Sequence, residues 1–364
     1  MKTKPARWVC VGSADKLKHK PLQQILAGKV PIALSCRDGQ FGAISGVCTH
    51  AGGPLGDGHL DKSGYVVCPW HNWDFECQTG MARPGFKDTV PGHDVKIEGG
   101  DVWVNIEPAT KRVKSAHKPH ALTRAICREP GPLRVAGIST TAMNADHPRF
   151  STSENLLVAA LDHAKSKGAE SKLLRMNDLK VRACEGYYSK AAGACTWPCT
   201  ITQQDDKDEM TEIYEALVFW ADVVLVSTSI RWGAPSSLYF KMVERLNCVQ
   251  NQVTLNDKVL IRNKTAAFLI TGGQDNVQAV AGQMMMFFGE IGFTFPQFPF
   301  VAHSRGWTAE DMENNVAYVK EDEGLRDGAR ALTDRCLAMA KGLISCGEVA
   351  AKIPRGGRKA CRTK

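Results

Sequence analysis

Apolar and polar positions alternate in two different ways along the chain. Over residues 1–107, short apolar stretches are separated by Gly, Asp and Pro, which is typical of a small antiparallel β domain. The strands predicted in this part are residues 8–11, 30–36, 40–44, 65–67, 94–98 and 102–106.

From residue 133 onwards, apolar strands alternate with longer amphipathic segments. This alternation predicts an α/β, flavodoxin-like architecture, in which a doubly wound parallel sheet is covered by helices on both faces. The predicted strands are 133–139, 170–175, 222–228, 266–271 and a weaker one at 293–298; the predicted helices are 154–167, 208–221, 236–247, 277–291, 309–320 and 325–343. The chain is therefore predicted to be multidomain, with an all-β domain first and this α/β domain over residues 133–346.

Composition supports two globular domains and excludes several classes of protein. A chain of 364 residues with 43% hydrophobic and 23% charged residues is long enough for two cores and is not typical of disordered or fibrous proteins. No apolar run approaches the ~20 residues that span a bilayer, so we expect no membrane association and a cytoplasmic location.

The positive charge lies mainly in two stretches. Of a net charge of +8, residues 108–132 and 347–364 contribute +5 each, which leaves −2 for the rest. These stretches are predicted to be a basic linker and a basic tail. A near-neutral body argues against nucleic acid as a partner, whereas docking of an acidic redox partner protein stays open.

Two Cys/His pairs indicate a metal centre. Residues 48–50 read Cys-Thr-His, and seventeen residues later residues 68–71 read Cys-Pro-Trp-His. Zinc sites usually keep ligands of one type together, whereas a Rieske centre takes one thiolate and one imidazole from each of two loops. The spacing here is of the second kind, and zinc is the alternative.

Residues 1–106 resemble Rieske 2Fe-2S ferredoxins, since residues 48–55 and 68–75 match the two cluster loops of that family. The resemblance implies that Cys48 and Cys68 bind the inner iron and that His50 and His71 bind the exposed iron, where electrons would enter or leave.

The departures from the high-potential members of the family predict a low-potential centre. Gly53 and Trp70 stand where those members carry a disulfide, and Trp73 and Phe75 replace residues with hydroxyl groups. Fewer hydrogen bonds to the sulfurs stabilise the reduced state less, which lowers the potential.

Three loops of the second domain are predicted to bind a cofactor, because each follows a strand of a parallel sheet. Residues 151–155 place hydroxyl groups at a helix start, as an anion cradle or simply as an N-cap. Residues 228–236 and 271–275 add glycines, an aromatic ring and a cation. The candidate residues are Ser139, Ser151, Thr152, Ser153, Thr228, Ile230, Arg231, Trp232, Gly233, Thr271, Gly272, Gly273 and Gln274.

Residues 133–346 resemble the NAD(P)H-dependent FMN reductases of flavodoxin-like fold and their iron-sulfur flavoprotein relatives. The resemblance implies bound FMN and a homodimer or homotetramer with the flavin near the subunit interface. Arg231 and Trp232 are the predicted catalytic residues: Trp232 stacks on the flavin ring and Arg231 stabilises negative charge on it. Because no Gly-x-Gly-x-x-Gly follows a strand, we expect the nicotinamide to stack directly on the flavin.

Cys184, Cys195 and Cys199 allow three interpretations. In iron-sulfur flavoproteins this region holds a four-cysteine motif, but here no fourth thiolate is obvious. A second cluster, a pair of redox-active thiols and inert structural cysteines all stay open.

The leading hypothesis is an oxidoreductase that moves electrons between NAD(P)H, FMN and the 2Fe-2S centre to an external acceptor, either a partner protein or a small molecule. The first alternative is a flavin-site reductase or oxidase of a small organic substrate that receives electrons through the Rieske domain. The second is a non-catalytic electron carrier or redox sensor.

Overall fold

The computed structural model describes residues 5–114, 120–144, 146–190, 192–272, 276–304, 306 and 308–346. The chain divides into two compact units, Met1–Pro119 and His120–Lys364. Residues 115–119 of the predicted linker and the whole predicted tail, residues 347–364, lie outside the described residues. Across the described ranges, no helix is long and apolar enough to cross a membrane.

The predicted linker is divided between the two units. On the first unit, Val113 forms a β-bridge with Thr89. On the second unit, Leu122 is fully buried and Arg128 forms an ion pair with Asp222 at 2.8 Å. The described residues on both sides of position 115–119 therefore pack against a folded domain.

The first unit consists of three small antiparallel sheets with the strand orders β1-β10-β9, β2-β3-β4-β8 and β5-β6-β7. Strand β10 shows the pattern of a half-buried strand, because Val102 and Val104 are buried and Trp103 between them is not. The strands are β1 Trp8–Ser13, β2 Leu22–Ala27, β3 Val30–Arg37, β4 Gln40–Ser45, β5 His59–Leu60, β6 Tyr65–Val67, β7 Asp74–Glu76, β8 Gly92–His93, β9 Val95–Glu98 and β10 Asp101–Asn105.

The second unit contains one five-stranded parallel sheet with the order β12-β11-β13-β14-β15. Its strands are β11 Arg134–Ser139, β12 Glu170–Arg175, β13 Val223–Ser229, β14 Thr265–Gly272 and β15 Phe300–Ser304. The order reverses between β11 and β13, as in flavodoxin-like folds, so ligands are expected at the carboxyl ends of these strands. The predicted fold class is confirmed.

Helices cover both faces of this sheet. One face packs on α2, α9 and α10, and the other on α5 to α8 with the π-helical segment Glu215–Trp220. The helices are α1 Ala14–Leu17, α2 Thr152–Ser166, α3 Tyr187–Lys190, α4 Thr200–Gln204, α5 Met210–Tyr214, α6 Ser237–Arg245, α7 Asn247–Asn256, α8 Val277–Glu290, α9 Ala309–Glu321 and α10 Glu323–Ser345.

Two of the predicted elements differ from the observed ones. The strand predicted at residues 293–298 is wrong, because the fifth strand is β15, which begins after Pro299. Prolines at 296 and 299 cannot donate ladder hydrogen bonds, which delays the strand. The helix predicted over 208–221 is α5 followed by the π-helical segment, since periodicity cannot distinguish a π turn from an α turn.

Replacing Asp208 by asparagine is expected to lower the free energy of unfolding of the second unit by about 3–5 kcal/mol. The side chains of Asp208 and Arg245 are both fully buried, and the carboxylate accepts hydrogen bonds from the guanidinium at 2.5 and 2.9 Å. Asparagine would leave the buried guanidinium without its counter-charge.

The matched control for this prediction is Asp205→Asn, because Asp205 pairs with the exposed Arg182 at 3.4 Å. A change of about 0–1 kcal/mol is expected there. Denaturant unfolding followed by circular dichroism measures both variants, and equal losses of stability would contradict the prediction.

Candidate cluster and flavin sites

The two predicted ligand loops of the first unit have the same backbone geometry. In each loop the fourth amide after the cysteine donates to that cysteine's carbonyl at 3.1 Å, from Gly52 to Cys48 and from Asn72 to Cys68. Gly52 and Asn72 both have positive φ, 81° and 57°, which closes each loop tightly. Two equivalent turns therefore present one cysteine and one histidine each.

The four predicted ligands come together at one end of the unit. The Nδ1 atoms of His50 and His71 lie 3.2 Å apart, and the thiols of Cys48 and Cys68 are 3% and 1% exposed. A Cβ atom added at Gly53 would lie 2.8 Å from the Cys68 sulfur, so this position tolerates no side chain. The two loops thus form a tight cradle of two sulfurs and two nitrogens.

The electrostatics of these side chains suit metal binding. Burial, followed by the neighbouring His50, lowers the pKa of His71 to about 4, so its ring is neutral at pH 7, the form that binds iron. A hydrogen bond from the Cys48 thiol lowers the pKa of Cys68 to about 7, which favours the thiolate that iron requires.

The geometry favours a Rieske centre over zinc. Among the described residues, no group of three or more His, Cys, Asp or Glu side chains surrounds one point where a single ion could bind. A structural zinc ion needs four ligands at one point, whereas each iron of a Rieske centre takes two ligands from the protein. The chemistry of the donor set therefore fits a 2Fe-2S cluster.

The described end of the predicted linker supports the first ligand loop, which the sequence did not indicate. The Lys114 ammonium donates to the His50 carbonyl at 2.9 Å, and Arg112 donates to the Val47 carbonyl at 2.9 Å. The Thr49 hydroxyl donates to the Val113 carbonyl at 3.5 Å rather than toward the cluster position. A basic run without periodicity could not reveal this contact.

The reduction potential of the cluster is expected to be near the bottom of the Rieske range, roughly −150 mV. Trp73 stacks on His50 with ring centroids 4.5 Å apart, and Phe75 is fully buried, so neither position offers a hydroxyl donor. A redox titration followed by EPR measures the potential, and a value above zero would contradict this prediction.

The three predicted loops of the second unit line one cavity of about 400 Å³ at the carboxyl ends of β13 and β14. Its volume lies within the range of small-molecule sites. Eight of the predicted residues line it: Ser151, Thr152, Ser153, Ile230, Arg231, Trp232, Thr271 and Gly272.

Hydroxyl groups gather at the start of α2, where an anion would bind. Ser151 is the N-cap and accepts from the Glu154 amide at 3.2 Å, and Thr141 lies 2.8 Å from Ser151 and 3.1 Å from Ser153. The Thr152 hydroxyl lies 2.6 Å from that of Thr271, which links the first loop to the third. A helix of 15 residues adds its N-terminal amides and dipole, so this end of the cavity fits a phosphate.

The loop with Trp232 is a tight hairpin turn. Arg231 and Ala234 exchange backbone hydrogen bonds at 2.8 and 3.0 Å, and the two central residues have positive φ, 53° at Trp232 and 70° at Gly233. Turns of this kind favour Asn and Gly, so an aromatic residue at the first position is unusual. The turn leaves the Trp232 side chain 94% exposed at the rim of the cavity.

Some predicted residues lie behind the cavity wall rather than on it. The Ser139 hydroxyl donates to Glu154 at 2.6 Å, and the Thr228 hydroxyl accepts from the Ser236 amide at 3.1 Å. The Gly233 carbonyl accepts from Asn276 at 2.8 Å. Gly273 and Gln274 lie outside the described residues.

The cavity also contains residues that the sequence analysis missed. Arg149 and Phe150 belong to the loop after β11, whose position alone indicated the site. Asn315 comes from the middle of α9, 5% exposed, and its side-chain oxygen is buried without a hydrogen-bond partner in the described structure. A flavin amide could occupy that acceptor. No local pattern marks a helical asparagine of this kind.

The fold adds a fourth cysteine to the three considered together. Cys248, at the start of α7, is fully buried and contacts the Tyr214 hydroxyl at 3.5 Å. A hydrogen bond from Cys248 lowers the pKa of Cys199 to about 5. Burial raises the pKa of Cys195 to about 11. The proximity of Cys248 and Cys199 was not visible from their spacing.

Two protein families match separate parts of the chain. Residues 7–90 match the family described as Rieske [2Fe-2S] domain, and residues 138–308 match the family described as NADPH-dependent FMN reductase.

Relatives and solved structures cover one part or the other. The ferredoxin component of the alkene monooxygenase system of Xanthobacter autotrophicus is 29% identical over 104 residues, which is 29% of this chain and 85% of that protein. The carnitine monooxygenase oxygenase subunit of Escherichia coli is 24% identical and covers 57% of this chain and 64% of that protein. The structure of RosB with a bound formylriboflavin phosphate intermediate has a TM-score of 0.45 at 18% identity and covers 58% and 81% of the two chains.

Proposed function

The chain joins a Rieske [2Fe-2S] domain to an NADPH-dependent FMN reductase domain, and we propose that it moves electrons from NAD(P)H through FMN and the cluster to an external acceptor. The two domains support a Rieske cluster, FMN and NAD(P)H as the cofactors and an oxidoreductase as the class of protein. Bound FMN takes up an electron pair as hydride and releases electrons singly, whereas a 2Fe-2S cluster carries one.

The observation that carries the proposal is the cavity lined by all three predicted loops of the second unit. Ser151, Thr152 and Ser153 would hold the phosphate at the start of α2. Arg231, which lines the same cavity, would stabilise negative charge on the reduced ring, and the exposed Trp232 would cover the ring face. No side chain is required as an acid or base for hydride transfer.

At the other site, Cys48 and Cys68 would hold the inner iron, and His50 and His71 the outer one. His50 is half-buried and lies between Trp73 and His71. This edge would be the port for the acceptor. Since one relative is named as the ferredoxin component of a monooxygenase system, an oxygenase is the partner class that we favour, ahead of a small-molecule acceptor. The proposal includes a homodimer or homotetramer, which light scattering would measure.

Anaerobic addition of NADH and then NADPH to the holoprotein tests the proposal. The expected result is bleaching of the flavin absorbance and growth of a Rieske-type EPR signal at a matched rate. A flavin that stays oxidised with both nucleotides would overturn it and would favour an organic substrate at the flavin, with electrons supplied through the cluster. Reduction of both centres without turnover in the presence of ferricyanide or a quinone would favour the electron carrier or sensor.

A further inference from the structure

A second cavity of the second unit lies at the edge of the sheet opposite to the flavin cavity. It has a volume of about 490 Å³ and includes Asp222 and Lys264, which directly precede β13 and β14. Because the strands are parallel, these residues lie a strand length, roughly 20 Å, from the carboxyl ends. The cavity is thus separate from the site of the proposed function.

Five basic side chains and one carboxylate line this basic cavity. Arg124 pairs with Glu215 at 2.5 and 2.6 Å, and Arg128 pairs with Asp222, the lining carboxylate, at 2.8 Å. The remaining three cations, Lys258, Arg262 and Lys264, have no carboxylate partner among the described residues. The cavity therefore carries a surplus of positive charge.

Lys264 is the unusual member of this set. The residue is only 8% exposed, and its ammonium group makes no hydrogen bond or ion pair with any described residue. Burial lowers its pKa to about 8, and Asp222, Arg128 and Arg134 are the charged groups that act on it. A buried ammonium without a partner costs free energy, so proteins normally pair such groups.

The rest of the cavity wall is apolar. Ile126, Trp220, Leu260 and Ile344 line it beside the cations. A strongly hydrated inorganic ion would leave these side chains uncovered, whereas an anion with an apolar body would cover them. The lining thus selects for a ligand with two chemically different ends.

We propose that the basic cavity binds a small organic anion, whose carboxylate or phosphate group pairs with Lys264 and whose apolar body packs on the apolar wall. This binding site goes beyond the proposed electron transfer, since it involves neither the cluster loops nor the flavin loops. Residues 123–128, which the sequence assigned to a linker, form one side of it.

Calorimetric titration of the FMN-saturated holoprotein tests this inference. Benzoate and phenyl phosphate carry the two headgroups on one apolar ring, benzyl alcohol removes the charge, and inorganic phosphate removes the ring. Saturable binding is expected for benzoate or phenyl phosphate, with binding about tenfold or more weaker for benzyl alcohol and inorganic phosphate. The tighter of the two aromatic anions identifies the headgroup. No saturable binding, or equal binding of benzyl alcohol, would overturn the proposal, and this comparison needs no variant.

Lys264→Met is expected to weaken binding of the preferred anion about tenfold or more and to raise the thermal midpoint, because an unpaired buried charge is removed. Lys165→Met is the matched control, since Lys165 lies on α2 and its ammonium pairs with Asp162 in the exposed surface. FMN content at the wild-type ratio shows that each variant is folded. Wild-type affinity in Lys264→Met, or a lower thermal midpoint with unchanged binding, would assign Lys264 a structural role in balancing Asp222.

Discussion

Replacing Cys68 by serine is expected to abolish the Rieske EPR signal while FMN stays bound at the wild-type ratio to protein. Cys68 is 1% exposed, and its sulfur lies among the other three predicted ligands. A serine hydroxyl keeps the volume of the thiol but remains protonated and is a poor ligand for cluster iron. Because the two units have separate cores, loss of the cluster leaves the flavin site intact.

Cys77→Ser is the matched control for this prediction. Cys77 is 6% exposed and belongs to the same core cluster, but its thiol points to Glu76 at 3.7 Å and is not a predicted ligand. Iron and flavin contents, with low-temperature EPR of the reduced protein, distinguish the variants. A Rieske signal that survives in Cys68→Ser, or disappears equally in both variants, would contradict the ligand assignment.

Replacing Ser151 by aspartate is expected to raise the Kd for FMN on the order of tenfold or more, which corresponds to about 1.4 kcal/mol. Ser151 lines the flavin cavity and caps α2 through the Glu154 amide. Aspartate is as good an N-cap as serine and interacts favourably with the helix dipole, so the helix is preserved. The added negative charge would repel the phosphate that the hydroxyl is predicted to bind.

Ser151→Asn separates charge from shape in this experiment. Asparagine caps helices as well as aspartate does and has nearly the same size, but it is neutral. Fluorescence titration of the apoprotein with FMN gives both affinities, and the Rieske signal reports on the intact first unit. Equal FMN affinities of the two variants would place the phosphate away from the start of α2.

Sequence reasoning performed best where the determining contacts are local. The cluster loops are runs of eight residues, and each turn closes through a hydrogen bond from the fourth residue to its own cysteine. The central strands β13 and β14 are continuous apolar runs buried on both faces, which marks a parallel sheet. The strands β2, β5 and β7 were missed: β5 and β7 have only two or three residues each, and β2 contains two glutamines.

The sequence by itself therefore determined the two-part architecture, the four predicted cluster ligands and most of the flavin loops, because periodicity and short motifs are properties of neighbouring residues. Only the tertiary structure placed Asn315 of α9 in the flavin cavity, Cys248 beside Cys199, and Lys264 in a basic cavity with residues 123–128. Each of these sites joins segments that are distant along the chain. Their chemistry depends on burial and on unmatched charges, and both are decided by which surfaces pack together when the sheet and its helices assemble.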